Sequence, residues 1–248
     1  MPVEQYLRDP SRKQQFVTPM FDIIAPRYDA FTRIFSFGMD ARWKRELLAT
    51  VAASVPPSAT ALDLACGTGD LAFAVAELAP RGRVTGIDAS SRMIDAATDR
   101  LARRDPAPVP SAPITFTVGD MTALAVADRS VDVATAGYAL RNVPDVRAAL
   151  AEIARVLVPG GRLHTLDFYR PPAAWWRRLF VGYLAAAGNV VGWLWHREPV
   201  VYGYIARSVD HFVTADAFGQ LLVENGFVVE RLRRRLLGGI AIHTARRI

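Results

Sequence analysis

Short apolar runs and helical stretches alternate along residues 61–168, and that alternation constrains the fold more than any other feature. Ala61–Ala65, Arg83–Asp88, Ile114–Val118, Val131–Ala136 and Arg162–Phe168 read as buried strands. Asp70–Leu78 reads as a helix between the first two. Ser90 or Ser91 caps the next helix, with Met93, Ala97 and Leu101 on one face. Asp145 starts another, lined by Val146, Ala149, Leu150, Ile153 and Leu157 and stopped by Pro159-Gly160-Gly161. Asp105–Pro113 carries four prolines and is a surface loop.

Such alternation builds a parallel, doubly wound α/β sheet that binds ligands at the carboxyl ends of its strands. Two late strands, Phe227–Leu236 and Ile240–Ala245, flank Leu237-Gly238-Gly239 and form a hairpin, which makes one strand antiparallel. The expected architecture is a Rossmann-like, seven-stranded sheet of order 3-2-1-4-5-7-6 with strand 7 antiparallel. No linker separates a second domain in the 248 residues. One domain is expected: a helical cap over 1–50, a core over 51–170, a helical insertion over 171–212, and a terminal helix and hairpin over 213–248. In the cap, Phe21, Ile24, Tyr28, Phe31 and Phe35 recur at helical spacing. His211 is placed at the start of a helix, and Thr214 caps one running to about Asn225.

The loop after the first strand reads Leu62-Asp63-Leu64-Ala65-Cys66-Gly67-Thr68-Gly69-Asp70. Gly67 and Gly69 let the backbone turn tightly and approach a ligand. Asp63 precedes the turn. Asp88 ends the second strand, where a carboxylate accepts both hydroxyls of a ribose. Gly119-Asp120 ends the third, where a carboxylate accepts from an adenine amino group. A dinucleotide is the main rival ligand. Its pyrophosphate requires a third glycine and a helix N-terminus without negative charge, and here Phe73 and Asp70 stand in those places. A cationic donor, S-adenosyl-L-methionine, suits Asp63 and Asp70 better.

The chain resembles the ubiquinone/menaquinone-biosynthesis C-methyltransferases. The resemblance runs through Phe21-Asp22-Ile23-Ile24-Ala25-Pro26-Arg27-Tyr28-Asp29, Ser36-Phe37-Gly38-Met39-Asp40, Trp43-Lys44-Arg45, the glycine loop, Gly137-Tyr138-Ala139-Leu140-Arg141-Asn142-Val143, Arg155–Leu163 and Gly238-Gly239-Ile240-Ala241-Ile242-His243. The chain departs from the family at Thr32, Tyr138-Ala139 and Asp167-Phe168-Tyr169, and matches loosely over Val181–Tyr204. The resemblance implies a class I, S-adenosyl-L-methionine-dependent fold, with donor contacts at Thr68, Asp88, Asp120, Met121 and Gly137. It implies methylation of a ring carbon on a prenylated quinol, demethylmenaquinol or a benzoquinol; another phenolic small molecule is the alternative.

Such a transfer requires no metal. It requires alignment, exclusion of water and an acceptor hydroxyl made easier to ionise. The expected roles are Arg141 as electrostatic partner of a phenolate, Asn142 as its positioner, and Tyr28 with Asp70 as a water-linked proton relay.

A net charge of +6 suits an anionic surface and equally an ordinary enzyme. Arg233-Arg234-Arg235 raises nucleic acid as a partner, but no binding module or base-flipping tetrapeptide accompanies it, so none is expected. A donor-binding scaffold without activity conflicts with the intact loop and Arg141-Asn142. The lone cysteine, Cys66, fits a reducing compartment, and residues 1–12 read as no signal or anchor. A cytoplasmic location follows as an expectation, peripheral to the inner face of the membrane in one reading. In that reading, uncharged Leu179–Trp195, flanked by Trp175 and Trp176, meets lipid. In the other, it packs on the core or in a homo-oligomer.

Overall fold

The computed structural model describes residues 10–25, 32–33, 36, 38–104, 111–196 and 199–248. Among the described residues, helices α1 (Pro10–Ile24) and α2 (Asp40–Ala52) come first. The core follows as β1 (Thr60–Leu64), α3 (Asp70–Leu78), β2 (Arg83–Asp88), α4 (Ser91–Ala102), β3 (Ile114–Val118), β4 (Val131–Gly137), α5 (Val146–Val156) and β5 (Leu157–Phe168). The insertion is two helices, α6 (Ala174–His196) and α7 (Pro199–His211). Then come α8 (Ala215–Glu224), β6 (Phe227–Arg235) and β7 (Ile240–Arg247).

The strands form one sheet of order β3-β2-β1-β4-β5-β7-β6, with β7 antiparallel to both neighbours. β1 lies at its centre, pairing Leu62 with Thr85 on one side and Ala134 on the other. Its residues from Ala61 to Leu64 are all buried, as a parallel strand covered on both faces requires. On one face Leu62, Leu64, Leu150, Ile153 and Phe218 form a core; on the other, Trp43, Leu47, Phe168, Phe180 and Leu184 do.

Local caps place the helix starts. The Ser90 hydroxyl accepts from Met93 N at 3.1 Å, Asp145 from Arg147 N at 2.8 Å and Ala148 N at 3.1 Å, and Thr214 from Ala217 N at 3.2 Å.

Two expectations change. Helix α5 ends at Val156, before Pro159-Gly160-Gly161, and Leu157 is already extended. The Pro-Gly-Gly turn is instead an irregularity inside β5: Leu157 to Arg162 opposes only Val131 to Val133 on β4. Gly160, at φ +82°, supplies the left-handed residue that this bulge needs. His211 ends α7 rather than starting a helix, with its Nδ1 2.9 Å from the Arg207 carbonyl oxygen. The cap helix stops at Ile24; Tyr28, Phe31 and Phe35 lie outside the described residues.

Candidate active site

A cavity opens at the carboxyl ends of β1, β2, β3 and β4, where the strand order reverses between β1 and β4. Its floor is the glycine loop. Ala65 and Gly67 take positive φ, 49° and 53°, and Gly69 reaches 89°. At Gly69 a side chain would be strained and crowded, since a Cβ would stand 2.8 Å from the Phe116 ring and 3.0 Å from Phe73. Phe73 thus occupies the space that a third glycine would leave open, in edge contact with Phe116.

Asp88 ties this floor to the next helix. Its carboxylate accepts from Gly67 N and Ser90 N, both at 2.9 Å. Burial raises its pKa, and these two amides oppose the rise. Beside it, Asp120 accepts from Thr122 N and the Thr122 hydroxyl, both at 2.8 Å. Ile87 and Met121 add apolar walls, and Gly119 lies so close to Ile87 that a Cβ would stand 2.7 Å from its methyl. Gly137 ends β4 against Leu71.

The opposite wall comes from distant segments. Helix α1 contributes Gln14, Val17, Thr18 and Phe21. The loop leaving β4 contributes Tyr138, Ala139, Asn142 and Val143. Asn142 Nδ2 donates to the Tyr138 carbonyl at 3.0 Å, and its Oδ1 accepts from the Tyr204 hydroxyl at 3.3 Å. Tyr138 holds φ +58°, a strained value for a side-chain-bearing residue, and its hydroxyl donates to Asp40 at 2.9 Å. Behind Tyr138 its ring meets Phe168, with centroids 5.4 Å apart. Phe168 lines a second, almost wholly apolar chamber of about 270 Å³ with Trp43, Trp176, Phe180 and Leu184.

Gly67, Asp88, Asp120, Met121, Gly137 and Asn142 therefore line one cavity. Asp63, Thr68 and Gly69 stand behind it. Asp63 is buried beneath the loop, where it accepts from the Thr135 hydroxyl at 2.7 Å, and burial pushes its carboxyl up to about 7. Tyr28 lies outside the described residues.

Two expected catalytic groups are turned away from the cavity. Arg141 is buried, with Nη1 donating to Asp167 at 2.6 Å and to the Tyr138 carbonyl at 2.9 Å. Its charge is spent on a carboxylate of β5 that is itself 1% exposed. Asp70 sits between Lys44 at 3.0 Å and Arg100 at 2.5 Å. Burial works against its charge, but the two cations outweigh burial and hold the carboxyl below the usual carboxylate range. Its charge is already compensated by these two cations. The preference for a cationic donor then rests on Phe73 and on the cavity carboxylates, not on Asp70.

Lys13, Gln14 and Thr18 carried no signal in the sequence. They lie in segments remote from the glycine loop and belong to no local pattern. Tyr138 was visible only as a departure from the family.

The residues present fit S-adenosyl-L-methionine. Carboxylates at the ends of neighbouring strands can accept from ribose hydroxyls and an adenine amino group, Ile87 and Met121 supply a slot for an aromatic ring, and the glycine floor admits close approach. Sheet order and cavity together define an S-adenosyl-L-methionine-dependent methyltransferase. Among solved structures the fold matches a methyltransferase of Thermotoga maritima, at TM-score 0.60 and 17% identity, covering 93% of this chain and 99% of that one. It also matches geranyl diphosphate C-methyltransferase of Streptomyces coelicolor, solved with S-adenosyl-L-homocysteine, at TM-score 0.60 and 15% identity, covering 82% and 79%. The chain belongs to the ubiE/COQ5 methyltransferase family, whose model matches residues 10–247. A demethylmenaquinone methyltransferase of Symbiobacterium thermophilum is 35% identical over 94% of this chain and 93% of its own length. A ubiquinone/menaquinone biosynthesis C-methyltransferase UbiE of Desulfotalea psychrophila is 37% identical over 92% and 88%.

Proposed function

We propose that the chain methylates a ring carbon of a prenylated hydroquinone, a demethylmenaquinol or a benzoquinol, in respiratory quinone biosynthesis. The observation that carries this reading is a pair of cavities: one lined by the donor-type residues, Tyr138 and Asn142, the other apolar, about 270 Å³ and lined by Phe168, whose ring packs on Tyr138. A polar ring with a hydrocarbon tail needs both environments. The names of the relatives point to the same acceptor class.

When bound, the donor supplies an activated methyl group on a sulfonium. The balance is one C–CH3 bond formed, one S–CH3 bond broken, and the ring proton released to solvent. The chain's own part is placement. In this reading Asp88 holds the ribose, Asp120 and Met121 hold the adenine, Gly67, Thr68 and Gly69 shape the floor under the methionine end, and Gly137 gives room beside the sulfur. Asn142 orients an acceptor hydroxyl, and α1 with Tyr138 excludes water.

The apolar patch near the chamber supports peripheral contact with a membrane. Trp175, Leu179 and Leu237 are each about 60% exposed, at 62%, 61% and 62%. Trp176 Nε1 donates to the Leu236 carbonyl at 2.7 Å and draws α6 to the hairpin tip. Leu179 also lines the chamber. Among the described residues no helix is long and apolar enough to cross a membrane.

The test offers purified protein, with S-adenosyl-L-methionine, a reduced prenylated naphthoquinol, a prenylated benzoquinol and tail-free phenols. Expected is one added methyl on a prenylated quinol by mass spectrometry. Methylation of the soluble phenols alone would overturn the acceptor assignment. Flotation with anionic liposomes tests the membrane contact; protein left wholly in the soluble fraction, also at low salt, would exclude it.

A further inference from the structure

We propose that Lys13 is a positioning residue of this site, an ammonium that fastens α1 across the donor cavity and sets the main chain at Asn142. Its Nζ donates to the carbonyl of Arg141 at 2.9 Å and to that of Val143 at 2.7 Å. These are the residues on either side of Asn142. They lie beyond the end of β4, where no strand ladder holds them. Charge-assisted bonds to both carbonyls fix the peptide planes that carry Asn142.

The same helix places Gln14, Val17, Thr18 and Phe21 on the cavity wall. At its other end the Ser90 hydroxyl donates to Asp22 at 2.5 Å, and Ser90 is both the cap of α4 and a cavity residue. Helix α1 is thus pinned to the loop after β4 at one end and to the loop after β2 at the other. Between the pins it crosses the donor cavity. Val17 and Met20 also pack on Tyr204, whose hydroxyl reaches Asn142. Asn142 is therefore supported from α1 along two routes.

The placement runs against simple electrostatics. Burial, with the Arg141 cation alongside, lowers the Lys13 ammonium to about 8, against the pull of Asp167. A cation kept beside a buried cation costs stability. A residue needed only to pack α1 would do so better as a neutral side chain.

The donor arm of the test rests on the donor alone, and the turnover arm also on the acceptor proposed above. Three variants are compared with the whole chain: Lys13→Met, Lys13→Arg, whose guanidinium can span both carbonyls, and Gln15→Ala on the exposed side of α1. Amide hydrogen exchange over residues 10–24 is read without donor, S-adenosyl-L-methionine affinity by calorimetry, and kcat and KM with the quinol. In Lys13→Met, exchange in α1 is expected to speed up and donor affinity to fall about tenfold, the scale of one charge-assisted hydrogen bond. At saturating donor its kcat should fall while acceptor KM stays within about twofold, a split that marks lost positioning rather than lost binding. Lys13→Arg should restore all of these, and Gln15→Ala should change none. Should the methionine variant fail to fold, Lys13→Gln, which keeps one donor group, takes its place. The proposal is overturned by unchanged α1 exchange and donor affinity in Lys13→Met, by failure of arginine to rescue, or by a loss that merely follows global unfolding. If the wild type methylates no quinol, the acceptor assignment fails, while exchange and donor affinity still decide the role of Lys13.

Discussion

Replacing Arg141 with methionine separates a structural arginine from a catalytic one. Arg141 is 5% exposed and Asp167 1%, and their contact is 2.6 Å. Removing one member of a buried pair costs about 3–5 kcal/mol, because the other charge is left without compensation. Asp167 would keep two amide donors, Phe168 N at 2.8 Å and Arg141 N at 3.2 Å. Methionine fills most of the arginine stem, so little cavity cost is added. These two facts place the loss near the lower limit, about 3 kcal/mol. Urea denaturation followed by circular dichroism measures it. The double variant Arg141→Met with Asp167→Leu should recover a large part, since neither member of the pair is then left facing a missing partner. At a temperature where the single variant remains folded, donor affinity should stay within about threefold, because Arg141 is not on the cavity wall. Stability unchanged within about 0.5 kcal/mol, together with a collapse of kcat/KM, would refute this reasoning and return Arg141 to the acceptor.

Gly69→Ala should destabilise by about 2 kcal/mol, from its φ of +89° and the contacts with Phe116 and Phe73, and should weaken donor binding; denaturation and calorimetry check both. Tyr138→Phe removes a hydroxyl bond to an Asp40 that also keeps Lys44, so stability should fall by no more than about 1 kcal/mol with methyl transfer retained. Burial holds His164 and His243 near 4, against 6.5 for free histidine, so the folded state binds fewer protons than the unfolded one in that window. Their contribution is complete above 6.5 and is lost as pH falls towards 4, about 3 kcal/mol for each. Asp63, raised to about 7, acts in the opposite sense over the same range and offsets roughly one histidine. Asp88, also raised by burial, acts in the same sense as Asp63, so a net loss below about 3 kcal/mol between pH 6.5 and 4 is the expected result; stability that rises on acidification would contradict it.

Much of the core was legible because its signals are local. Strand β2 and strand β3 follow from apolar runs bounded by turn residues, and Ser90, Asp145 and Thr214 mark helix starts by the hydroxyl or carboxylate that must meet a free amide. The end of α5 was misread because Pro-Gly-Gly stops a helix and bends a strand equally well. Pairing with β4 decides between them, and pairing is not a local property. On the site, Gly67, Asp88, Asp120 and Gly137 were identifiable because strand ends in such a sheet must converge.

Arg141 and Asp70 show where that logic stops. A charged side chain near a strand end can face the ligand or a partner, and the choice depends on what the rest of the chain brings up. Asp167 arrives from β5, and Lys44 and Arg100 from α2 and α4. Lys13 reaches the Asn142 loop across 128 positions of sequence, for which no spacing rule exists. The sequence by itself determined the sheet, its order and the carboxylates at its ends, because backbone hydrogen bonding and hydrophobic burial act on short segments in a repeating way. Only the tertiary structure decided which charges are spent on each other and which face the cavity, because a buried charge takes its partner from whichever segment lies nearest in space.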